Sequence, residues 1–291
     1  MKIFTFFPVE HFFKLSELWC VCMKQEIKER LFIVGCPRSG TTLLQTLLAA
    51  HPQVKSFPET HFIPHLISKW SRITKIPSLR GKHKLINLLV ILEYQSMRKI
   101  IPGFGSIRRY VNCFVNILDT ITVENNKQIW LEKTPSNLHY VNFIEKYIPD
   151  AKFIHIIRNG EDVVASLYEV THQYPEQWRG SRSIKKCVRR WNSDVKRTRK
   201  HLHKKNHICI TYENIIQKTE DALKKLSLFI GVDYDYAMMA EYDKTANELI
   251  LGDEKWKSLN REKIKHQLHR KFDSLFNDKE KKWIKQNLIK I

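Results

Sequence analysis

The sequence predicts an α/β fold with a central parallel β-sheet flanked by helices, and three observations carry that expectation. Short apolar runs alternate with longer segments of helical periodicity along most of the chain. Two of those runs, 31–35 (LFIVG) and 152–157 (KFIHII), each pass through an arginine-bearing turn into a helix start. The 291 residues are 43% hydrophobic, which suits one large domain or two small ones, and no internal repeat or flexible linker divides them.

Taken in order, 31–35 reads as a buried strand ended by Gly-Cys-Pro, and 41–50 (TTLLQTLLAA) as a helix that stops at His51-Pro52. A short strand is expected at 54–57. Helices are expected over 61–70, 83–100 and 107–119, with Pro102 and Gly103 as a break. The run 128–132 (QIWLE) reads as a strand and 137–147 as a helix. Segment 152–157 is a strong strand, and a helix begins over 162–168. Over 182–204, Ile184, Val188, Trp191, Val195 and Leu202 form one helical stripe with Arg and Lys on the other faces. A strand at 207–212 (HICITY) and a helix at 213–230 follow. From Lys255 onward the chain is very basic and reads as helical near its end. The expected organisation is an N-terminal extension, 1–30, and a single domain, 31–291, in which 62–127 is a helical insertion.

Fifty Lys and Arg against 30 Asp and Glu leave a formal charge of +20. Such a balance favours acidic partners: nucleotides, nucleic acid, anionic lipid or anionic substrates. The six cysteines are scattered, with only Cys20 and Cys22 close together, which fits a reducing compartment better than a disulfide framework. No Asn-x-Ser/Thr site is present. The aromatic N-terminus is interrupted by Glu10, His11, Lys14 and Glu17 and has no cleavage signature. No apolar run approaches the roughly 20 residues of a spanning helix. The expectation is a cytoplasmic protein without a transmembrane segment.

The most informative segment is 35–42, GCPRSGTT. A strand enters a Gly-containing turn that opens a helix, where free backbone N–H groups and the helix dipole attract anions. The spacing is that of the nucleotide phosphate loop G-x-x-x-x-G-K-[ST], with Thr41 where the lysine belongs. That lysine reaches the terminal phosphates of a nucleoside triphosphate, so its absence speaks against an ATPase or kinase. Arg38, Ser39, Gly40 and the hydroxyls of Thr41 and Thr42 instead suit a smaller, doubly anionic group held in a backbone nest.

Read as a whole, GCPRSGTTLLQTLLAAHP resembles the 5′-phosphosulfate loop of the sulfotransferase family. Further similar segments follow in the family's order over most of 31–290. The resemblance implies the P-loop-like sulfotransferase fold and the donor 3′-phosphoadenosine-5′-phosphosulfate. It also implies transfer of the sulfuryl group to an acceptor hydroxyl. Segment 57–62 (FPETHF) is similar to the Glu-Thr segment of protein-tyrosine sulfotransferases and bacterial relatives, which implies that Glu59 is the catalytic base. A carboxylate can take the proton that the acceptor hydroxyl loses as it attacks sulfur. His61 is the rival base, and a helix-capping role is the rival reading of Glu59. Histidine at 61, where the tyrosine-sulfating enzymes have a basic residue that meets an acidic peptide, argues against peptide tyrosine as acceptor.

Segment 131–136 (LEKTPS) resembles the family's Lys-x-Pro segment. It implies that Lys133 sits by the donor's bridging oxygen, where an ammonium stabilises the charge that grows as the S–O bond breaks. Segment 153–167 (FIHIIRNGEDVVASL) is the second signature, and by resemblance Arg158 and Ser166 bind the 3′-phosphate. The planar guanidinium offers several charge-assisted donors, and Ser166 follows about two helical turns later. Segment 211–214 (TYEN) implies a nucleotide role for Tyr212, with a core tyrosine as the alternative. Segment 252–257 (GDEKWK) resembles the late loop that closes over the nucleotide, with Trp256 stacking and Lys257, or Lys271 further on, meeting phosphate.

No Asp/Glu/His group has metal-ligand spacing, and the family needs no metal. The rival functions are a phosphate-loop kinase or NTPase and a basic nucleic-acid binder. Thr41 and the Arg158–Ser166 segment oppose the first. The second lacks any zinc-finger, RRM or KH signature, so no specific nucleic acid is expected. The acceptor is left open, with Trp70, Tyr94, Phe104 and Tyr110 as aromatic candidates for its pocket.

Overall fold

Strand β1 (Glu29–Gly35) lies at the middle of the sheet because it is apolar on both faces: Leu31, Phe32, Ile33 and Val34 are all fully buried. A strand covered on both sides needs a continuous apolar run, not an alternation. The computed structural model describes residues 26–67, 76–249 and 271–290. With β2 (Val54–Phe57), β3 (Ile129–Lys133), β4 (Ala151–Ile157) and β5 (His207–Thr211), β1 forms a five-stranded parallel sheet in the order β2-β3-β1-β4-β5. The predicted α/β class with a parallel sheet is what the chain adopts. The five strand positions read from the sequence agree with the observed ones to within two residues at either end.

Strand order places the functional end. The chain leaves β1 toward β2 and β3 on one side, whereas β4 lies on the other side of β1 and leads on to β5. The loops after β1 and β4 therefore diverge, and a crevice opens at their C-terminal ends, where open α/β sheets bind ligands. Register brings the third group to the same end: Ile33 pairs with Lys133 on β3 and with Ile154 on β4.

Helices α1 (Thr41–Ala49), α2 (Phe62–Leu66), α3 (Leu79–Ile91), α4 (Ile107–Glu124), α5 (Val141–Tyr147), α6 (Gly160–Gln173) and α7 (Ile184–Arg199) follow in order. They are joined by α8 (Tyr212–Gln217), α9 (Thr219–Ile230), α10 (Ala237–Ala240), α11 (Tyr242–Leu249), α12 (Lys271–Leu275) and α13 (Asp278–Asn287). Phe32 and Val34 face a core shared with α2 to α5, while Leu31 and Ile33 face α1 and α8 to α11. Helix α4 shows why these segments fold as they do. Ile107, Tyr110, Val111, Phe114, Ile117, Leu118 and Ile121 recur at three- and four-residue spacing and are all buried, and Phe114 packs edge-on to Trp130 of β3. Ser106 starts the helix by accepting from the Arg109 N–H. Removing the Phe114 ring would cost about 3–5 kcal/mol.

Several boundaries differ from the sequence reading. The expected helix 83–100 begins earlier, ends at Ile91, and gives way to a 3₁₀ turn over Gln95–Ile100. The expected helix 61–70 is the short α2, and 213–230 divides at Lys218 into α8 and α9. Helix α6 starts at Gly160 because Asn159 caps it, and α7 stops before Leu202, which is partly exposed outside the stripe. Tyr110 is a core residue whose hydroxyl donates to the Pro102 carbonyl, so it does not line a pocket. Trp70 lies outside the described residues. Among the described residues no helix is long and apolar enough to cross a membrane.

Candidate active site

The loop after β1 is built around left-handed backbone. Arg38 has φ 72° and Gly40 φ 91°. Gly40 also has no room for a side chain, since a Cβ there would lie 2.3 Å from the Tyr212 ring. A non-glycine residue in this conformation is a strained feature that clusters at functional sites. Helix α1 follows with Gly40 as N-cap, without a side-chain cap and without acidic residues in its first turn. Its positive end is therefore unneutralised, as an anion site requires. Ser39 Oγ is buried here with no hydrogen-bond partner, and Thr41 and Thr42 are buried beside it.

The loop after β4 is built differently. Asn159 Oδ1 accepts from the Glu161 and Asp162 N–H groups, so the start of α6 is already capped, and both of those residues are acidic. The cations come from side chains. The Arg158 guanidinium lies 4.2 Å from the centre of the Tyr212 ring, with Asp162 Oδ2 at 3.9 Å. Arg158 Nε is buried and has no hydrogen-bond partner. Trp191 Nε1 donates to the Arg158 carbonyl at 3.1 Å and its ring packs on Gly160, so a residue read from sequence as core also supports this turn.

The two loops meet. Arg38 Nε donates to Ser166 Oγ at 3.1 Å. Burial and the neighbouring Arg158 both pull the Arg38 guanidinium below its ordinary pKa. Arg38, Ser166, Arg158 and Tyr212 thus form one group between β1 and β4. The sequence reading assigned Arg38 to the first anion cradle and Ser166 to a separate second one; the backbone of Arg38 belongs to the first, but its side chain crosses to the second. Two arginines held close, the orphaned Arg158 Nε and, in the loop after β1, the orphaned Ser39 hydroxyl suit a ligand with more than one anionic group.

Third, Lys133 reaches the loop from the end of β3. Its Nζ donates to Glu59 Oε1 at 2.5 Å and to Thr42 Oγ1 at 3.3 Å, and its side chain is almost wholly buried. The position left by the missing loop lysine is thus approached by a lysine from a neighbouring strand. Glu59 does not cap α2: the N-cap is His61, with φ 49° and no side-chain cap. His61 Nε2 lies 3.5 Å from Glu59 Oε2, and burial pushes its imidazole down to about 4 despite the attraction of Glu59. His65 is lowered too, chiefly by burial, with Lys84, Arg179 and Arg80 adding repulsion, so this mouth is basic.

A buried carboxyl that sequence reasoning passed over holds these parts together. Glu132 Oε1 accepts from the hydroxyls of Thr60 at 2.8 Å and Thr134 at 2.6 Å, and Oε2 accepts from Asn137 Nδ2 at 2.7 Å. Thr134 Oγ1 accepts the His61 N–H at 3.2 Å. Burial raises the Glu132 carboxyl, and the two threonine bonds oppose the shift. Glu132 thereby pins segment 59–61 against the end of β3, which brings Glu59 to Lys133. The available signal was a lone acid inside the strand 128–132, which reads QIWLE. Trp256 and Lys257 lie outside the described residues. Lys271 pairs with Glu169, one turn beyond Ser166 on α6.

Comparison with known proteins bears on the family and the fold. The sulfotransferase family model matches residues 30–236. The protein-tyrosine sulfotransferase of Drosophila melanogaster is 26% identical over 216 residues, covering 72% of this chain and 39% of that protein. The chain spans about half the length or less of several such curated relatives. Among solved structures, the sulfotransferase domain of the Synechococcus PCC 7002 olefin synthase is similar with a TM-score of 0.61 and 18% identity, covering 91% of this chain and 95% of that one. Mouse sulfotransferase SULT7A1 complexed with PAP has a TM-score of 0.52 and 14% identity, covering 89% and 83%. With a family match across more than half its length, on a parallel sheet that carries the family's motifs, the chain belongs to the sulfotransferase family.

Proposed function

We propose that this protein transfers the sulfuryl group of 3′-phosphoadenosine-5′-phosphosulfate to an acceptor hydroxyl by in-line displacement. The observation that carries the reading is the Glu59–Lys133–Thr42 contact, a carboxylate and an ammonium together at the mouth of an uncapped anion loop. In the proposed step the acceptor oxygen bonds to sulfur, the acceptor proton passes to Glu59, and the S–O bond to the phosphate breaks. The electron pair stays on the leaving phosphate oxygen, where Lys133 offsets the new charge. The loop of Ser39 to Thr42 holds the 5′ end, and Arg158, Ser166 and the crossing side chain of Arg38 hold the 3′-phosphate.

Glu59 is the better base of the two candidates. It lies directly against Lys133, where the leaving oxygen would sit, whereas His61 Nε2 reaches only Glu59 Oε2, at 3.5 Å. Tyr212 contributes as the plate against which Gly40 and Arg158 both pack. Support for the donor comes also from the similar fold seen in a protein complexed with PAP. The helices between β2 and β3 border Glu59 and His61, which fits their reading as the acceptor-side insertion of one domain, 31–291, and a cytoplasmic location belongs to the same reading.

Thermal unfolding with added nucleotide tests it. Adenosine 3′,5′-bisphosphate should raise the melting temperature, since ligand at about 100 times its Kd adds about 2.7 kcal/mol. ATP and an oligonucleotide should do far less. A larger shift with ATP would replace this reading with the nucleotide-kinase alternative.

A further inference from the structure

Away from the active site, at the N-terminal end of β5, the fold assembles a group that sequence spacing did not reveal. Glu145 of α5, His201 in the turn after α7 and His207 at the start of β5 each bring a ligand-capable atom to within 4.8 Å of the others. The His207 side chain is fully buried, and its Nε2 lies 3.0 Å from Glu145 Oε1. His201 is 9% exposed, and its Nδ1 is buried with no hydrogen-bond partner. An imidazole nitrogen left unserved in the interior is costly unless something occupies it.

We propose that Glu145, His201 and His207 bind one divalent transition-metal ion of the zinc class. Imidazole and carboxylate are the donors such an ion takes, with bonds of about 2.0–2.2 Å and donor atoms about 3.5 Å apart in a tetrahedron. The Glu145–His207 pair is already at 3.0 Å, and the ligand-capable atom of His201 lies within 4.8 Å of both. A water completes the fourth position.

The surroundings are those of a metal-bound histidine. His207 Nδ1 lies 2.8 Å from His155 Nε2, and His155 Nδ1 lies 3.3 Å from Thr198 Oγ1. With the ion on Nε2 of His207, its Nδ1–H donates to His155, whose own Nδ1–H donates to Thr198, which fixes tautomer and ring orientation. Lys204 Nζ holds the other carboxylate oxygen, Glu145 Oε2, at 2.6 Å, while Oε1 faces His207 Nε2 and, at 3.4 Å, Asn206 Nδ2. Each neutral ring keeps its one proton: that of His207 passes from Nε2 to Nδ1 as the ion binds, and that of His155 sits on Nδ1. The ion would clasp the end of α7, the start of β5 and α5, about 13 Å or more from the crevice, given about 3.3 Å per strand residue.

The experiment uses the full chain, stripped with a chelator and then dialysed against zinc. Bound metal is read by mass spectrometry, and stability by thermal unfolding. About one zinc per chain and a melting temperature that rises with zinc and falls again with chelator are expected. His201→Ala should abolish both effects yet fold, because no hydrogen bond of Nδ1 is lost. Glu145→Gln should weaken binding strongly, and His83→Ala, an exposed histidine on α3, should change nothing. Failure of the wild-type chain to retain zinc, or a His201→Ala chain that retains it, would overturn the proposal.

Discussion

The loops after β1 and β4 have the same order of parts, strand, arginine, turn, helix, yet they present positive charge by different physics. The first uses backbone: Gly40 leaves α1 uncapped, no acidic residue neutralises its dipole, and left-handed φ angles at Gly40 and, with strain, at Arg38 shape the nest. In the second, the backbone donors are already taken, since Asn159 caps α6 and Glu161 and Asp162 follow. What remains there for an anion is side chain: Arg158, Ser166 and the Arg38 guanidinium that arrives from the first loop. A backbone nest grips a group by position and tolerates little change in shape. A side-chain cradle grips by charge and can be dismantled one residue at a time.

The largest effect is expected where the first cradle meets chemistry. Lys133→Ala removes the ammonium beside Thr42 and Glu59, and turnover should fall about 10²–10³-fold, as when one preorganised donor to a developing oxyanion is lost. Affinity for adenosine 3′,5′-bisphosphate, measured by calorimetry, should stay within a few-fold of wild type. A variant that transfers sulfate at the wild-type rate would remove Lys133 from the mechanism.

Next comes the side-chain cradle. Arg158→Ala should weaken bisphosphate binding about 10–100-fold, the range for losing charge-assisted hydrogen bonds worth about 1.5–3 kcal/mol, with turnover at saturating donor little changed. Arg38→Ala and Ser166→Ala should each weaken binding less, and their double mutant should fall short of the sum, because Arg38 Nε donates to Ser166 Oγ. Additive losses would show that the two cradles act separately.

The contrast also explains what could be read from sequence. Both strand–turn–helix corners were visible, because apolar runs ending in Gly, Pro or Asn are local signals, and so was the parallel sheet they imply. The crossing of Arg38 to Ser166 spans 128 residues and depends on β1 and β4 being neighbours, which no local pattern encodes. Glu132 was hidden for a related reason: its partners Thr60, Thr134 and Asn137 come from two loops that only the β2–β3 pairing brings together. The His201–His207–Glu145 group is likewise a product of packing. Helix ends were misjudged where a cap decided them, as at Asn159 before α6 and the turn beyond Ile91.

A smaller effect separates the cradles by stability. Asn159→Ala should cost about 1 kcal/mol of folding free energy, the usual loss of an N-cap, with only a slight change in bisphosphate affinity. Helix α1 has no side-chain cap to lose. If Asn159→Ala instead abolished donor binding while leaving the melting temperature unchanged, the second loop would be a backbone nest after all.

The smallest expected effect concerns His61, at the acceptor edge of the first cradle. Burial moves its imidazole from 6.5 down to about 4, so the ring is neutral throughout the range from pH 5 to 8. The acid limb of the rate profile over that range therefore belongs to another group. His61→Asn should leave the shape of kcat/KM against pH unchanged there, with only a modest scalar loss from altered packing. For stability the sign runs the other way from a salt-bridged histidine. The unfolded chain takes up the proton near pH 6.5 and the folded chain only near 4, so stability falls as pH drops through that window. His61→Asn removes this penalty, and its melting temperature should decline less than that of wild type between pH 7 and pH 5. An inflection near pH 6.5 that disappears in His61→Asn would instead make the imidazole the base and leave Glu59 as its positioning partner, 3.5 Å away.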